Sequence, residues 1–496
     1  MADLAKANKY QKENRIDKRE KPIFHVTPPV GWMNDPNGFS IFQGKIHLFY
    51  QYHPYRDVWG PMHWGHCISE DFIRWKELPP AMAPDMDYDA AGCFSGSAIE
   101  TEEGHALLYT GVMEKERTDG TKEIVQQQCL AIGDGITYEK VSINPVISFG
   151  QLPDGFSRED FRDPKVWREK ETYYLAAGNI NGQGNGQVIL FESEDLREWR
   201  YVSVLADNQG KYGRMWECPD FFPLGQKDVL VVSPQDMQAD ETEFHNGNQA
   251  VALIGVYDRK QYRLLEEQVI SLDYGTDFYA PQTVETEDGR RVMIAWMQSW
   301  DMNIKPAGQK WCGMMTIPRQ LELRDNTLYQ KPVKELEKYR RDPVVYTGRE
   351  ISGTCMLPDI RGRILDLTVE LLEGDFREFT VSFAANEKFH TSFRYIRDTQ
   401  TIEFDRTYCG MVRDAVCQRK MKIKKVERTL KLRFLLDRFS VELFVNDGAQ
   451  AFTSTFYTPL EAEDIIFQCD KKAMINVEKY TILLDGEEGE DLCERI

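Results

Sequence analysis

The sequence predicts an all-β protein in which a five-bladed β-propeller is followed by a C-terminal β-sandwich. Two observations lead to this prediction. A unit of short strands recurs five times between residues 23 and 335, without a helical pattern between successive units. After about Val345 the strands become longer and alternate strictly between apolar and polar residues. Repeated four-stranded units are typical of propeller blades, and strands with one apolar face are typical of two packed sheets.

Each propeller unit opens with a polar motif that leads into two strands joined by a turn. The motifs begin near residues 35, 94, 163, 217 and 277, at intervals of 54 to 69 residues. After most of these hairpins a third and a fourth strand follow around a charged turn, as in CISEDFIRWKEL. The first strand of every propeller blade lines the central axis, so we expect the five motifs to meet at one end of that axis.

The chain has 496 residues, which is longer than one hydrophobic core usually organises and favours two domains. We assign residues 1–22 to an N-terminal extension, 23–335 to the propeller, 336–344 to a linking helix and 345–496 to the sandwich. The linking helix is predicted from VKELEKYRRDP, which ends at a proline. Asn446-Asp447-Gly448 predicts a tight hairpin in the sandwich, where we identify no catalytic constellation.

The composition limits the partners and the location of the protein. A net charge of −19 argues against binding to nucleic acid or to an anionic membrane surface, since both attract basic proteins. No apolar run is long enough to span a bilayer, and residues 1–22 lack the apolar core of a signal peptide. The ten cysteines include no CxxC pair, which favours reduced thiols. We therefore expect a cytoplasmic protein with neither nucleic-acid nor membrane partners.

Three of the five motifs place a carboxylate at an equivalent blade position, namely Asp35, Asp163 and Glu217. Capping of a strand would explain one such carboxylate but hardly all three. Clustered carboxylates suit the cleavage of a glycosidic bond, because one attacks the anomeric carbon while a protonated one assists the leaving oxygen. Aromatic side chains that can stack on sugar rings lie in the same units: Trp32, Trp59 and Trp296.

Asp35 lies in the segment WMNDPNG, where turn-forming residues directly follow two large apolar ones, Trp32 and Met33. A loop anchored in the core would explain this arrangement, and so would a pocket whose floor holds Asp35. A metal site is the competing use of three carboxylates, but the D-x-D-x-D spacing is absent. His63 and His66 are better explained as structural residues than as a zinc pair. We expect neither a metal nor a cofactor.

Six motifs follow one another along the chain: HVTPPVGWMNDPNG, FYQYHP, FSGSA, FRDPKV, ECPD and LLDRFSVELFVNDG. Together they resemble glycoside hydrolase family 32, the invertase and β-fructofuranosidase family, from about His25 into the sandwich. RDP alone would be unspecific, whereas six motifs in the family order and at blade spacing are highly specific. The resemblance implies a retaining hydrolase that acts on terminal non-reducing β-D-fructofuranosides through a fructosyl-enzyme intermediate.

The resemblance also implies roles for individual residues. Asp35 is the expected nucleophile and Glu217 the expected general acid/base, while Asp163 would hydrogen-bond sugar hydroxyls and stabilise the transition state. Sugar contacts are expected from eight further residues: Asn34, Gln51, Trp59, Phe94, Ser95, Arg162, Tyr279 and Trp296. All three acidic motifs are intact, which indicates an active enzyme.

Two other functions remain compatible with parts of this pattern. A fructosyltransferase shares the first half-reaction and passes the fructosyl unit to a sugar acceptor, so the sequence separates it poorly from a hydrolase. A carbohydrate-binding propeller without turnover is a third interpretation, against which the intact Asp35 and Glu217 argue.

The expected location suggests the substrates. Sucrose, sucrose 6-phosphate and short fructo-oligosaccharides are those that a cytoplasmic enzyme would meet, and the sequence does not choose among them. No compact Arg/Lys motif marks a phosphate site. The exposed faces of the predicted sandwich leave a homodimer as an open alternative.

Overall fold

The computed structural model describes residues 2–116, 119–302, 304–306, 308–410, 415–424 and 428–484. Five separate sheets of the propeller are followed by a ten-stranded, two-layered sandwich. The predicted fold class is therefore confirmed. Residues 485–496, which we assign to the sandwich, lie outside the described residues.

Each propeller blade is formed by four consecutive antiparallel strands, apart from one insertion in the fifth. The first blade consists of β1 (Gly31–Phe42), β2 (Lys45–His53), β3 (His63–Ser69) and β4 (Trp75–Met82). The second consists of β5 (Gly92–Thr101), β6 (Gly104–Glu116), β7 (Lys122–Gly133) and β8 (Tyr138–Lys140). The third consists of β9 (Phe161–Glu169), β10 (Thr172–Ile180), β11 (Gly186–Ser193) and β12 (Arg200–Asp207). The last two consist of β13 (Trp216–Leu224), β14 (Lys227–Pro234), β15 (Val251–Asp258) and β16 (Arg263–Ser271); β17 (Tyr279–Glu285), β18 (Arg291–Trp296), β20 (Arg319–Arg324) and β21 (Thr327–Pro332), with β19 (Trp311–Cys312) inserted after β18. Strand β19 pairs in parallel with β1, so the fifth blade also contributes to the edge of the first.

The sandwich begins where the propeller ends. Its strands are β22 (Arg340–Cys355), β23 (Leu365–Gly374), β24 (Glu378–Ala385), β25 (Thr391–Ile396), β26 (Thr401–Asp405), β27 (Gln418–Lys422), β28 (Leu430–Asp437), β29 (Ser440–Val445), β30 (Gln450–Thr455) and β31 (Asp464–Ile482). Strand β31 joins the layers, because its first part pairs with β24 and its second part with β23. Phe383 of one layer lies 4.7 Å from Phe434 of the other between ring centroids.

The turn at Asn446-Asp447-Gly448 is the hairpin that the sequence predicts. It connects β29 to β30, and Val445 pairs directly with Gln450 across it. All three turn residues have positive φ angles of 47°, 58° and 92°. Asn, Asp and Gly adopt such angles most readily, which explains why this tripeptide occupies the turn.

Short helices occupy the connections. Short 3-10 helices occur at Lys18–Glu20, Asp87–Asp89, Phe149–Gln151, Lys334–Tyr339 and Asn446–Gly448. The 3-10 helix at Lys334–Tyr339 leads directly into β22 at Arg340. Residues 340–344, which the sequence assigns to the linking helix, therefore lie in the first strand of the sandwich instead. Arg340 is held in β22 by Asp366, whose Oδ2 accepts from its Nη2 at 2.7 Å.

The N-terminal extension contains the helix α1 (Ala2–Glu13). Ala7 on this helix is fully buried. The side-chain amide of Gln11 donates to the carbonyl oxygen of Leu78 in β4 at 3.2 Å. The helix is therefore fixed to the outer strand of the first blade.

A set of buried charges joins the propeller to the sandwich. His25, just before β1, contacts Asp437 through Nδ1 and Glu442 through Nε2, both at 2.9 Å. Arg319 of the fifth blade donates to Glu442 at 2.5 Å and to Asp273 at 2.9 Å. Since these side chains are removed from water, each charge depends on its partners for stabilisation.

The network determines the charge of His25. Burial by itself would lower the pKa of His25, but the hydrogen bonds and charges of Asp437 and Glu442 raise this pKa to about 9. His25 is therefore an imidazolium at neutral pH and donates from both ring nitrogens.

We expect His25→Gln to lower the free energy of unfolding at neutral pH by on the order of 3 kcal/mol, because two buried carboxylates lose their cation. The folded-state pKa of His25 lies above its ordinary value of 6.5. Its contribution is therefore fully present below pH 6.5 and is lost as the pH rises through about 9. Urea denaturation of the wild type and of His25→Gln, from neutral to strongly alkaline pH, measures this effect. The difference in their free energies of unfolding should become smaller as the pH rises.

His63→Gln is the matched control for this experiment. The His63 ring lies 3.1 Å from the carbonyl oxygen of Pro61 and has no carboxylate partner in the described structure. We expect this substitution to produce a smaller loss that does not change between neutral and alkaline pH. A stability difference for His25→Gln that stays constant across the same range would contradict the assigned charge.

Candidate active site

The carboxylates Asp35, Asp163 and Glu217 lie near the starts of the inner strands β1, β9 and β13. At each of them the pairing with the next strand shifts in register, as in a β-bulge. Strands β5 and β17 carry equivalent shifts at their own motifs. Bulges redirect side chains, so the polar motifs break the strand pattern where side chains must point into the axis.

The three carboxylates open into one cleft with a volume of about 390 Å³. Nine of the eleven residues that the sequence analysis selects line this cleft: Asn34, Asp35, Gln51, Trp59, Phe94, Ser95, Arg162, Asp163 and Glu217. The other two, Tyr279 and Trp296, are fully buried behind its wall. Tyr279 still touches the site through Glu217, whereas Trp296 reaches it through other aromatic rings.

The two carboxylate oxygens of Asp35 have different surroundings. Its Oδ2 accepts a hydrogen bond from the Ser95 hydroxyl at 2.7 Å and lies 3.7 Å from the sulfur of Cys218. Its Oδ1 is buried and has no hydrogen-bond partner in the described part of the chain. Burial, followed by the negative charge of Glu217, raises the pKa of Asp35 to about 6. Asp35 is therefore largely ionised at neutral pH, with one oxygen that Ser95 engages and one without a hydrogen-bond partner.

Glu217 is held at both oxygens. Arg162 donates from Nε to its Oε1 at 2.9 Å, and the Tyr279 hydroxyl lies 2.7 Å from its Oε2. The same hydroxyl lies 2.9 Å from the carbonyl oxygen of Ser233. An ionised Glu217 accepts a hydrogen bond from the Tyr279 hydroxyl. A protonated Glu217 can instead donate a hydrogen bond to Tyr279, while Tyr279 donates to the Ser233 carbonyl oxygen. The surroundings therefore suit both protonation states, as a general acid/base requires.

Asp163 is fixed by the backbone of the neighbouring blade. Its Oδ2 accepts from the backbone N–H of Cys218 at 2.9 Å, and its own N–H donates to the Thr110 hydroxyl at 3.0 Å. Its φ angle of +64° is uncommon for aspartate and indicates a strained position maintained by its surroundings. Burial and the charge of Glu217 raise the pKa of Asp163 to about 7, although Arg162 opposes this shift.

Arg162 supplies the positive charge of the described cleft lining. Besides its contact with Glu217, its Nη1 donates to Asp160 at 3.1 Å and to the amide oxygen of Gln126 at 3.3 Å. Burial alone would lower the pKa of Arg162, but the three neighbouring acids raise it. The guanidinium therefore partly neutralises the carboxylates and fixes the orientation of Glu217.

Trp32 explains why large apolar residues precede the turn in WMNDPNG. Its indole N–H donates to the side-chain oxygen of Asn34 at 2.7 Å. Its ring stacks on Trp300 at 6.4 Å and meets Trp296 edge-on at 5.9 Å. Met33 is fully buried in the propeller core. The segment is thus both anchored in the core and the floor of the cleft.

Six lining residues are missing from the sequence analysis: Ile124, Gln126, Glu159, Asp160, Gln235 and Trp300. Asp160 lies two positions before Arg162 and Trp300 four positions after Trp296, so their proximity to recognised motifs was a usable signal. Gln126 lies on β7, the third strand of its blade. No local pattern shows that a third strand reaches the cleft.

A larger cleft, of about 800 Å³, lies between residues 239–245 and the outer layer of the sandwich. Two of its acids are paired with bases, namely Glu403 with Lys420 at 2.7 Å and Glu378 with Arg394 at 3.4 Å. The smaller cleft holds the clustered carboxylates and is the better candidate for catalysis. Within the described ranges, no group of three or more His, Cys, Asp and Glu side chains is arranged to hold a metal ion. None of the helices described for this chain has the length and apolar character needed to cross a membrane.

Comparisons with known proteins agree with this architecture. Residues 25–332 match the family model "Glycosyl hydrolases family 32 N-terminal domain", and residues 335–482 match "Glycosyl hydrolases family 32 C terminal". A raffinose invertase of Escherichia coli is 36% identical over 448 residues, which cover 90% of this chain and 91% of that protein. A sucrose-6-phosphate hydrolase of Zymomonas mobilis is 37% identical over 446 residues, which cover 86% of this chain and 84% of that protein.

A solved structure shows the same fold. It is a Bombyx mori beta-fructofuranosidase variant in complex with sucrose, with 30% sequence identity and a TM-score of 0.84. The match covers 97% of this chain and 98% of that chain. Together, the two family models and these relatives show that the chain belongs to glycosyl hydrolase family 32.

Proposed function

We propose that this protein is a retaining β-fructofuranosidase, which hydrolyses terminal non-reducing β-D-fructofuranosides such as sucrose, sucrose 6-phosphate or short fructo-oligosaccharides. The observation that carries the proposal is the pair of buried carboxylates with different surroundings. Asp35 is ionised with one free oxygen, whereas Glu217 lies between a guanidinium and a phenol. The relatives named raffinose invertase and sucrose-6-phosphate hydrolase support this activity.

In the first step, an oxygen of Asp35 attacks the anomeric carbon of the fructosyl unit, and the bond to the leaving sugar breaks. Glu217 gives its proton to the glycosidic oxygen, so the leaving sugar departs as a neutral alcohol. A covalent ester then joins the fructosyl unit to Asp35. Asp163 accepts hydrogen bonds from sugar hydroxyls and stabilises the positive charge that develops on the ring.

In the second step, ionised Glu217 takes a proton from water, and the hydroxide equivalent attacks the anomeric carbon. The ester bond breaks, Asp35 is regenerated and fructose leaves with its original configuration. Tyr279 can follow these changes because its proton can be directed to Glu217 or to the Ser233 carbonyl oxygen. Arg162 contacts Glu217 throughout and holds the carboxyl group in place.

The remaining predicted residues form the walls of the sugar site in this proposal. Gln51 is held by its donation to the carbonyl oxygen of Cys93 at 3.0 Å. Trp59, 49% exposed, lies 5.9 Å from Phe94 in an edge-on arrangement and presents a face to a sugar ring. Asn34 is fixed by Trp32, and Ser95 by Asp35. Trp296 supports the floor rather than the sugar.

We also propose a cytoplasmic location and, through the sandwich faces, a homodimer. The nine cysteines within the described residues are thiols rather than disulfides, and seven of them are buried in the propeller and sandwich cores, including Cys67, Cys129 and Cys469. Unpaired thiols are typical of proteins in reducing compartments. Fractionation of cells that express the protein tests the location, and light scattering after gel filtration tests the dimer.

The stereochemical outcome tests the proposed function. We expect the first fructose released from sucrose to be the β-anomer, because two displacements at one carbon restore its configuration. NMR spectra recorded in the first minutes of the reaction, before mutarotation, distinguish the two anomers. Release of the α-anomer would exclude Asp35 as a nucleophile. Glucose release far exceeding fructose release would indicate a transferase, and the absence of any reducing sugar would indicate a binding protein.

The two carboxylates should fail in different ways. We expect Asp35→Ala to lose activity on all substrates, because no covalent intermediate can form. Glu217→Ala should lose roughly 10²–10⁴-fold with sucrose, the typical worth of acid/base catalysis, and far less with an activated aryl fructoside. Steady-state kinetics with both substrates, and mass spectrometry of the trapped protein, measure these effects.

Azide provides the decisive comparison for these variants. It should restore turnover of Glu217→Ala and give the β-fructosyl azide, because it attacks the fructosyl-enzyme without help from a base. In Asp35→Ala azide can only take the place of the missing carboxylate, so any product should be the inverted α-azide. Glu169→Gln, at the far end of β9, changes a carboxylate outside the cleft and should leave the kinetics unaltered. The assignment is wrong if the adduct maps to another residue or if both variants respond alike to azide.

Ser95 should tune the acid limb of the pH profile. Asp35 must be ionised to attack, so kcat/KM should fall as the pH drops through its pKa of about 6. The Ser95 hydrogen bond lowers this pKa. We expect Ser95→Ala to move the acid limb to higher pH by about one unit, since one unit corresponds to ~1.4 kcal/mol. Profiles of kcat/KM measure this shift, which should be absent in Ser69→Ala on β3.

A further inference from the structure

The helix α1 lies outside the part of the chain that matches the family models, which begins at residue 25. It is nevertheless adjacent to the loop of residues 54–62 that connects β2 to β3, which we call the entrance loop. This loop carries Trp59, which lines the cleft. Trp59 is 49% exposed, so burial of its own ring cannot fix its position. Its orientation depends on how the backbone of the entrance loop is held.

The first contacts between α1 and the entrance loop involve Tyr55. The Tyr10 ring of α1 meets the Tyr55 ring edge-on, with 5.1 Å between centroids and an angle of 71°. The Lys6 ammonium group lies 5.2 Å from the centre of the same ring. Aromatic pairs of this geometry and cations over aromatic faces both attract. One turn of α1 therefore covers the side chain that begins the entrance loop.

The next contacts lead from Tyr55 to Trp59 through His53. The Tyr55 ring meets the His53 ring edge-on at 6.1 Å. The Nδ1 of His53 lies 2.8 Å from the carbonyl oxygen of Val58, which can accept its proton. Gly60 lies so close that a Cβ there would be 2.4 Å from the His53 ring. Val58 and Gly60, which flank Trp59 in the chain, therefore both contact the His53 ring.

The far side of the entrance loop is also anchored. Asp57 forms an ion pair with Lys305, in the segment between β18 and β19. The entrance loop is thus held between α1 on one side and the fifth blade on the other. Contacts on both sides restrict Trp59 to few conformations before a sugar binds. Less conformational entropy is then lost on binding, which is how preorganisation increases affinity.

We propose that α1 is a positioning element of the active site, which acts through Tyr10, Tyr55 and His53 to hold Trp59 against the substrate. The inference rests on the proposed function, in which Trp59 contacts the sugar. Tyr10 is the positioning residue to test. Its ring can be removed without releasing α1, because Ala7 and Gln11 still attach the helix to the first blade.

The test compares the steady-state kinetics of Tyr10→Ala and wild-type protein on sucrose. We expect KM to rise about 2- to 10-fold, the factor that corresponds to one aromatic pair, while kcat changes less than about twofold. Tyr10→Phe keeps the ring and should restore the wild-type KM. Lys9→Ala is the matched control, because Lys9 lies on the same helix and its side chain is 74% exposed.

A double-mutant cycle shows whether the effect passes through Trp59. We expect Trp59→Ala to have a raised KM. Adding Tyr10→Ala to this variant should cause no further increase, because the positioned side chain is gone. An increase that is the same with and without Trp59 would overturn the proposal. So would a Tyr10→Ala protein with a lowered melting temperature and an unchanged KM, since that result assigns α1 a role in stability alone.

The failure of this inference is distinguishable from a failure of the proposed function. If the wild-type protein releases no fructose from sucrose or kestose, the proposed function is wrong. If it releases fructose and Tyr10→Ala binds sucrose as well as the wild type does, only the role of α1 is wrong.

Discussion

The burial of three carboxylates at one end of the propeller axis is the constraint on which the site depends. Three like charges so close together are stable only if donors compensate them or if some of them take up protons. Arg162 and the backbone N–H of Cys218 supply part of this compensation. The rest appears as raised pKa values of Asp35 and Asp163. The burial that brings the three carboxylates together therefore also makes it costly in free energy to ionise all of them.

The propeller must stay closed for this arrangement to persist, and the sandwich contributes to that closure. Glu442 of β29 accepts hydrogen bonds from His25 before the first blade and from Arg319 in the fifth blade. It also accepts from the backbone N–H of Ile317 at 2.8 Å. One sandwich side chain thus bridges the two blades where the ring closes. The sandwich supplies no residue of the described cleft lining.

Asp35 and Glu217 are similar groups whose different proposed roles follow from their neighbours. Ser95 engages one oxygen of Asp35 and leaves the other without a partner, as an attacking group requires. Arg162 and Tyr279 engage both oxygens of Glu217, and the Ser233 carbonyl oxygen gives the tyrosine proton an alternative acceptor. A proton can therefore be gained or lost at Glu217 without breaking the surrounding hydrogen bonds.

The sequence by itself determined the fold class and most of the cleft. Strand repetition, turn residues and motif spacing are local properties, which is why five blades and the positions of Asp35, Asp163 and Glu217 could be predicted. Only the tertiary structure placed Gln126 against Arg162 and Trp300 against Trp32. The tertiary structure also shows that Trp296 is buried behind the wall of the cleft and does not line it. These contacts join different blades or depend on how far a strand or loop extends. A short stretch of sequence predicts neither property.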